Sequence, residues 1–497
     1  MTVREQGAEQ LLRRGEYRGL LEQHFDVIRS PLAASPRVRL YVAQALALTG
    51  KGTDAHRLLT SDGLSEVELG HREFILGIVA ERDGSLERAL RHYAQASRIA
   101  KVNGDLSLTA WSELRRFGLL LEGHGTDALT AMLPNVRTAC LRAGDPTATC
   151  YLHLCAAVLA GQTGRFAEAK RHCDLADSLL AEAPHAPFAG ANAINRGCLA
   201  IMAGQLGEAA SLFKSAKQLA LRSGEPFVAG RADANLAHVL LATGDLEGAE
   251  AVFQHAIESE RLGKLGEVGA LDGLARLQLA RGDYDGCAAV IERILSFRAQ
   301  HESMPSIYHA RWATLTHIRL LLKRGHVQDA LDLSVSTKKK SEHIRDEPFK
   351  AALATLTAVA AALSGRLELS ARELWAALEL GISRNVELQP TYYFSAALVL
   401  RHRDSELSTA LRRRALSLWR SRGAITQRVE ADPSPVILSS ARTEVSTARP
   451  RPPRAVDDTL SSAVAILDLG GQPTALGAEL LALIDALECC PEAELAM

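Results

Sequence analysis

Gly204-Gln-Leu206-Gly-Glu-Ala209 and Gly244-Asp-Leu246-Glu-Gly-Ala249 share one short pattern: a glycine, an apolar residue two positions on, and an alanine five positions on. The same pattern stands at Gly84-Ser-Leu86-Glu-Arg-Ala89, Gly164-Arg-Phe166-Ala-Glu-Ala169 and Gly325-His-Val327-Gln-Asp-Ala330. Gly50/Ala55 and Gly123/Ala128 keep the glycine and the alanine, with Gly52 and Gly125 between them; Gly282/Cys287 and Gly365/Ser370 end on another small residue. Gly15-Glu-Tyr17 opens the series, and the segment from Asp404 to Ala410 closes it without a glycine. From Gly15 to Gly365 the glycines fall about 34 to 43 residues apart, a period too long for one helix and right for a two-helix unit.

Each part of the pattern has a physical reason. The glycine takes the left-handed conformation that ends a first helix. The apolar residue plugs the gap within the pair, and the alanine lets two helix backbones approach where a larger side chain would overpack. Large–small pairs further along the second helix, Tyr93/Ala96, Phe213/Ala216, Phe253/Ala256 and Leu374/Ala377, supply an interdigitating face. Between pairs, Ala143-Gly-Asp-Pro146, Ser223-Gly-Glu-Pro226 and Arg345-Asp-Glu-Pro348 are helix stop–start signals; in the first two a glycine precedes a capping acid and a first-turn proline.

Composition agrees. The 497 residues are 47% hydrophobic and 23% charged but only 5% aromatic, and Ala and Leu dominate, so an all-α chain is expected. A net charge of −1 and a pI near 7 give no electrostatic reason for direct nucleic-acid binding. The polar start MTVREQGAEQLLRRGEY does not read as a secretory signal, and no apolar run reaches membrane-spanning length; Ala351 to Leu363 reads as a buried helix. Eight cysteines without a framework spacing read as small core residues of a reducing compartment, so the expected location is cytoplasmic.

The repeat resembles that of the tetratricopeptide (TPR) family over roughly residues 8 to 422, with a period nearer 40 than 34 and without the family's early tryptophan in most units. The resemblance implies a right-handed α-solenoid of about eleven antiparallel helix pairs, spanning 1–424. Such long repeats also look like the sensor arms of large bacterial transcription regulators. Composition changes near Ala424: residues 425–457 read as a Pro/Arg/Ser-rich linker. Residues 458–497 read as a short helical tail, with Leu460, Val464, Leu467 and then Leu476, Leu480, Leu483, Leu487 on apolar faces. Such a segment must dock on the solenoid, self-associate or meet a partner.

No constellation carries catalysis. Gly50-Lys-Gly52-Thr-Asp-Ala55 and Gly123-His-Gly125-Thr-Asp-Ala128 loosely match a dinucleotide fingerprint, but helical sequence precedes each where a strand is required. Cys150, His153, Cys155, His172 and Cys173 do not converge by helical spacing as a metal site needs. His402-Arg-Asp404 stands without the other parts of a kinase loop, Cys489-Cys490 is a vicinal pair, and Lys338-Lys-Lys340 and Arg412-Arg-Arg414 read as solvated helix faces. No cofactor or metal is expected.

In TPR proteins the first helices of the pairs line the concave surface, and an asparagine nine residues before the turn glycine often contacts a bound peptide. The resemblance places Asn195 and Asn235 at that position, and helical spacing puts Arg231, His238 and Arg276 on the same surface. The alternative is that the asparagines tie adjacent helices together. The expected function is a non-catalytic protein- or peptide-binding scaffold, with a ligand-sensing arm of a bacterial transcription-regulatory system as the other reading.

Overall fold

The structure, a computed structural model, describes residues 2–60, 64–123, 126–259, 261–300, 308–381, 389–400 and 405–421. The expected linker at 425–457, the tail at 458–497, the His402-Arg-Asp404 triplet, Gly125 and the Cys489-Cys490 pair lie outside the described residues. Among the described residues there are twenty-three α-helices, one short 3-10 turn and no strand.

The helices follow one another as antiparallel pairs. After α1 (Val3–Arg13), α2 (Tyr17–Gln23) and the short α3 (Phe25–Arg29) come α4 (Pro36–Leu48) with α5 (Gly52–Leu59) and α6 (Glu66–Arg82) with α7 (Leu86–Val102). Next are α8 (Leu106–Gly123) with α9 (Thr126–Ala143), α10 (Pro146–Gln162) with α11 (Phe166–Glu182), and α12 (Ala186–Met202) with α13 (Leu206–Ser223). Then follow α14 (Pro226–Thr243) with α15 (Leu246–Glu258), and α16 (Gly263–Arg281) with α17 (Tyr284–Gln300).

The turn glycines Gly15 (φ 71°), Gly50, Gly84 (75°), Gly164, Gly204 (77°), Gly244 (86°), Gly282, Gly325 and Gly365 are left-handed, whereas Gly123 is the last helical residue of α8. The residue after it closes the helix end: Ser85 N–H donates to the Ala80 carbonyl and Gln205 N–H to that of Ala200, each at 2.8 Å. The motif alanines Ala55, Ala89, Ala169, Ala209, Ala249 and Ala330 are buried, whereas Ala128 is exposed and the adjacent Leu129 is buried in its stead.

The sequence pattern did not show what faces the large residues of the second helices. Tyr93 packs on Gly77 of its own pair and Phe213 on Gly197, so closely that a Cβ would stand 2.5 and 2.4 Å from the rings. Phe253 shares a cluster with Ala237 and also meets Gly273 of the next pair. The small residue lies sixteen positions before the ring in all three pairs.

Successive pairs are tied by the stop–start acids. Asp145 accepts the Thr147 N–H at 2.9 Å and, on its other oxygen, the Trp111 indole N–H at 3.0 Å. Asp346 likewise accepts from Trp312 at 3.2 Å and from Arg311 at 2.6 Å. In both cases 34 residues separate donor and acid, so where the chain does carry the early tryptophan, it reaches across to the cap of the following pair.

The chain divides into two compact units. The second holds Ile318–Ser341 and the chain from Glu347, including α19 (Val327–Lys340), α20 (Glu347–Leu363), α21 (Leu367–Glu379), α22 (Gln389–Leu400) and α23 (Ser405–Ser421). There α20 is buried from Ala351 to Ala361, as its unbroken apolar sequence predicts, and no described helix is long and apolar enough to cross a membrane. Lys338 pairs with Glu373 at 2.7 Å, so one member of the basic cluster serves packing between α19 and α21.

The first unit, Met1–His317 with Glu342–Asp346, contains contacts that no nearest-neighbour repeat predicts. Its first three pairs meet the sixth to eighth along a seam. A Cβ on Gly15 would stand 2.5 Å from Pro187 at the start of α12, and one on Gly84 2.5 Å from Lys264 at the start of α16. Gly50 faces Phe227 at the start of α14. Arg18 donates to the Leu221 carbonyl at 3.1 Å, and Arg82 both pairs with Glu225 at 2.9 Å and stacks over Phe227 at 3.8 Å.

Gly197→Ala is expected to destabilise the first unit by about 1–3 kcal/mol, because overpacking against Phe213 outweighs the ~1 kcal/mol that Ala gains over Gly in a helix. Phe213→Leu in the same chain should restore part of the loss, and Gly207→Ala, with open space at its Cβ, should not destabilise. Urea unfolding of the three variants checks this.

Candidate functional site

The first helices of the first unit bring charged and aromatic side chains together. Glu81, near the end of α6, accepts the Tyr93 hydroxyl at 2.6 Å and lies 3.5 Å from Arg115 of α8. Arg115 in turn lies 5.4 Å from the centre of the Tyr151 ring on α10. Burial disfavours the Glu81 carboxylate, yet Arg115, Arg82, the Tyr93 hydroxyl and Arg231 outweigh it and hold the acid below its usual range. The charges are therefore compensated in place. Tyr17, Tyr93 and Tyr151 are pushed far up by burial first and stay neutral phenols.

The five residues singled out by sequence sit on neighbouring first helices. Asn195 of α12 is half-buried, and its Nδ2 donates to the Leu154 carbonyl of α10 at 3.2 Å. Asn235 of α14 donates to the Arg231 carbonyl one turn back at 2.8 Å and accepts from the Cys198 thiol of α12 at 3.7 Å. Both amides thus touch the preceding first helix, the arrangement the tying alternative describes. The same role falls to Thr316, whose hydroxyl donates to Asp272 at 2.6 Å.

Arg231 is exposed, close enough to Glu81 and Tyr151 to bias both towards the charged form. His238, edge-on to Phe253 at 4.9 Å, is driven down to about 3 by burial, with Arg276 and His309 adding to the effect. His238 and Arg276 are therefore neighbours, and Arg231 with Asn235 forms a second cluster on α14. Nothing in the repeat motif singles out Glu81, Arg82, Arg115 or Tyr151, which stand outside it and meet partners up to 143 residues away. One available signal was the adjacent pair Glu81-Arg82 close before a turn glycine, where most first helices are apolar.

The remaining motifs take ordinary structural places. His153 and His172 share a hydrogen bond between their Nδ1 atoms at 2.9 Å, and burial pushes His153 down to about 4. Burial raises the Cys150 thiol to about 12 and that of Cys173 to about 11, so neither is a ready thiolate ligand or nucleophile. Among the described residues no three His, Cys, Asp or Glu side chains converge to hold a metal ion. Gly50 and Gly52 form an inter-helix turn preceded by α4, with no strand before them.

No family model matches the sequence, and no curated protein matches it. Solved structures do. A crystal structure of a Rap protein complexed with competence and sporulation factor aligns at a TM-score of 0.54 and 13% identity, over 71% of this chain and 99% of that one. The fold is that of a TPR-type α-solenoid. The Rap conjugation gene regulator of the plasmid pLS20, in complex with the Phr* peptide, aligns at 0.47 and 13% identity, over 78% and 98%. Aspartyl phosphate phosphatase F from Bacillus subtilis aligns at 0.40 and 13%, over 74% and 98%. At these identities the likeness concerns the fold.

His185 is buried at the seam, stacked on Phe188 at 3.9 Å and edge-on to Tyr17 at 6.3 Å, and burial, aided by Arg115, lowers it from 6.5 to about 4. A histidine held neutral by folding disfavours the folded state wherever only the unfolded chain takes up the proton. Stability is therefore expected to fall as pH drops from about 6.5 towards 4. His185→Asn, which keeps a capping side chain before Phe188, should flatten part of that slope in melts recorded between pH 7 and 4.

Proposed function

We propose that the inner face formed by the first helices α10, α12, α14 and α16 binds an extended protein or peptide segment, and that the chain performs no chemistry on it. What supports this reading is the exposed Arg231 beside Asn235 on α14, with His238 near Arg276 of α16. An amide has two donors and two lone pairs, so Asn195 and Asn235 keep capacity for a ligand main chain beyond the bonds they make to α10 and α14. Solenoids of this type bind along surfaces of stacked repeats. The Rap protein of similar fold is complexed with a factor.

The seam favours a second use of the same face, as the ligand-sensing arm of a bacterial transcription-regulatory system. Arg231 lies near Glu81, and the adjacent Arg82 crosses the seam to Glu225, so a ligand at Arg231 would act on that crossing.

A phage-displayed peptide library panned on the purified chain tests the proposal. Enriched peptides should bind at least tenfold more weakly to Arg231→Ala/Arg276→Ala, with an unchanged melting temperature. Asn195→Ala should lose on the order of 1 kcal/mol of stability as well, since its helix tie goes with it. Peptides that bind the double variant as tightly as the parent would move the site elsewhere, and a library with no enrichment would reject peptide binding.

A further inference from the structure

At the seam, where the turn between α6 and α7 meets α16 and α17, lies a cavity of about 480 Å³. That volume falls within the roughly 300–1,000 Å³ of small-molecule pockets. Val268 and Leu271, both buried, and Phe297 supply its apolar lining. Four cations, Arg88, Arg91, Lys264 and Arg293, stand around it against three acids, Asp83, Glu87 and Glu267.

The charges do not cancel. Asp83 is engaged by Arg88 at 3.5 Å. The single carboxylate of Glu267 serves two cations, Lys264 at 3.0 Å and Arg293 at 3.9 Å. Arg91 is exposed and has no ion-pair partner among the described residues. Among the described residues that line it, the cavity thus carries one positive charge in excess beside an apolar lining. A second negative charge on a ligand would meet Glu87 and Glu267, and an amine would meet the surplus cation with the same sign.

We propose that this cavity binds a small amphiphilic monoanion, a carboxylate on an apolar body, with the carboxylate at Arg91 and Arg293 and the apolar body against Val268, Leu271 and Phe297. Because the walls come from the third and the eighth pair, the bound carboxylate bridges the two and tightens the seam. The site is separate from the inner face, and its test does not depend on peptide binding there.

Octanoate is the probe, with octylamine and octanol as matched controls, all at submicellar concentration on the purified full-length chain. Octanoate should bind by calorimetry, raise the melting temperature by a few degrees, and slow hydrogen exchange within 84–91 and 264–271. Octylamine should do neither, and octanol should bind more weakly than octanoate. Arg91→Glu, an exposed position, should weaken octanoate at least tenfold with unchanged circular dichroism; should that variant misfold, Arg293→Gln carries the same arm. No octanoate binding, equal binding of amine and acid, unchanged affinity in the charge variant, or protection confined to other segments would each overturn the proposal.

Discussion

Tyr93 and Phe213 each need a neighbour with no side chain. The rings of the second helices fill space that the first helices leave empty at Gly77 and Gly197, and the buried alanines hold the other end of the same contact. This fixes the separation of two helices within a pair, because a close-packed interior has no slack of even one methylene. That separation in turn demands a bend short enough for a left-handed glycine. The bend sets where the next first helix starts, and capping acids such as Asp145 then fasten one pair to the following one. The pairs α6/α7 and α12/α13 share this contact, and α14/α15 repeats it with Ala237 in the glycine's place.

Much of this was legible in the sequence, since its cause recurs at a fixed spacing. The turn glycines and the buried alanines of most units fell where the pattern put them, as did the buried run of α20, while Gly123 and the exposed Ala128 did not. The partner of each ring was equally periodic but easily passed over, because a helical glycine reads as a weak position and not as a socket. The seam had no such signature. Gly15 meets Pro187 through the accumulated rotation of five pairs, and Arg82 meets Glu225 through that of four, sums of small angles that no single motif encodes.

The site residues divide along the same line. Helical spacing placed Asn195, Asn235, Arg231, His238 and Arg276 on the first helices α12, α14 and α16, where they lie. It could not weigh how far each amide is committed to a neighbouring helix, which depends on how closely the helices approach. Nor could it foresee that Glu81 and Arg115 would meet, neutralising each other's burial and leaving the exposed Arg231 as the accessible charge nearby.

The seam also changes what kind of object the first unit is. An array whose pairs touch only their neighbours can gain or lose a unit as a chain gains or loses a link, with the cost confined to one joint. Here Gly15, Gly50 and Gly84 are matched one-to-one with Pro187, Phe227 and Lys264. Removing one intervening pair would shift all three matches together, as a missing row shifts the planes of a crystal. Duplication and loss, the usual routes by which repeat proteins change length, are thereby barred between α8 and α11, and the number of pairs between the two sides of the seam becomes a fixed property of the sequence.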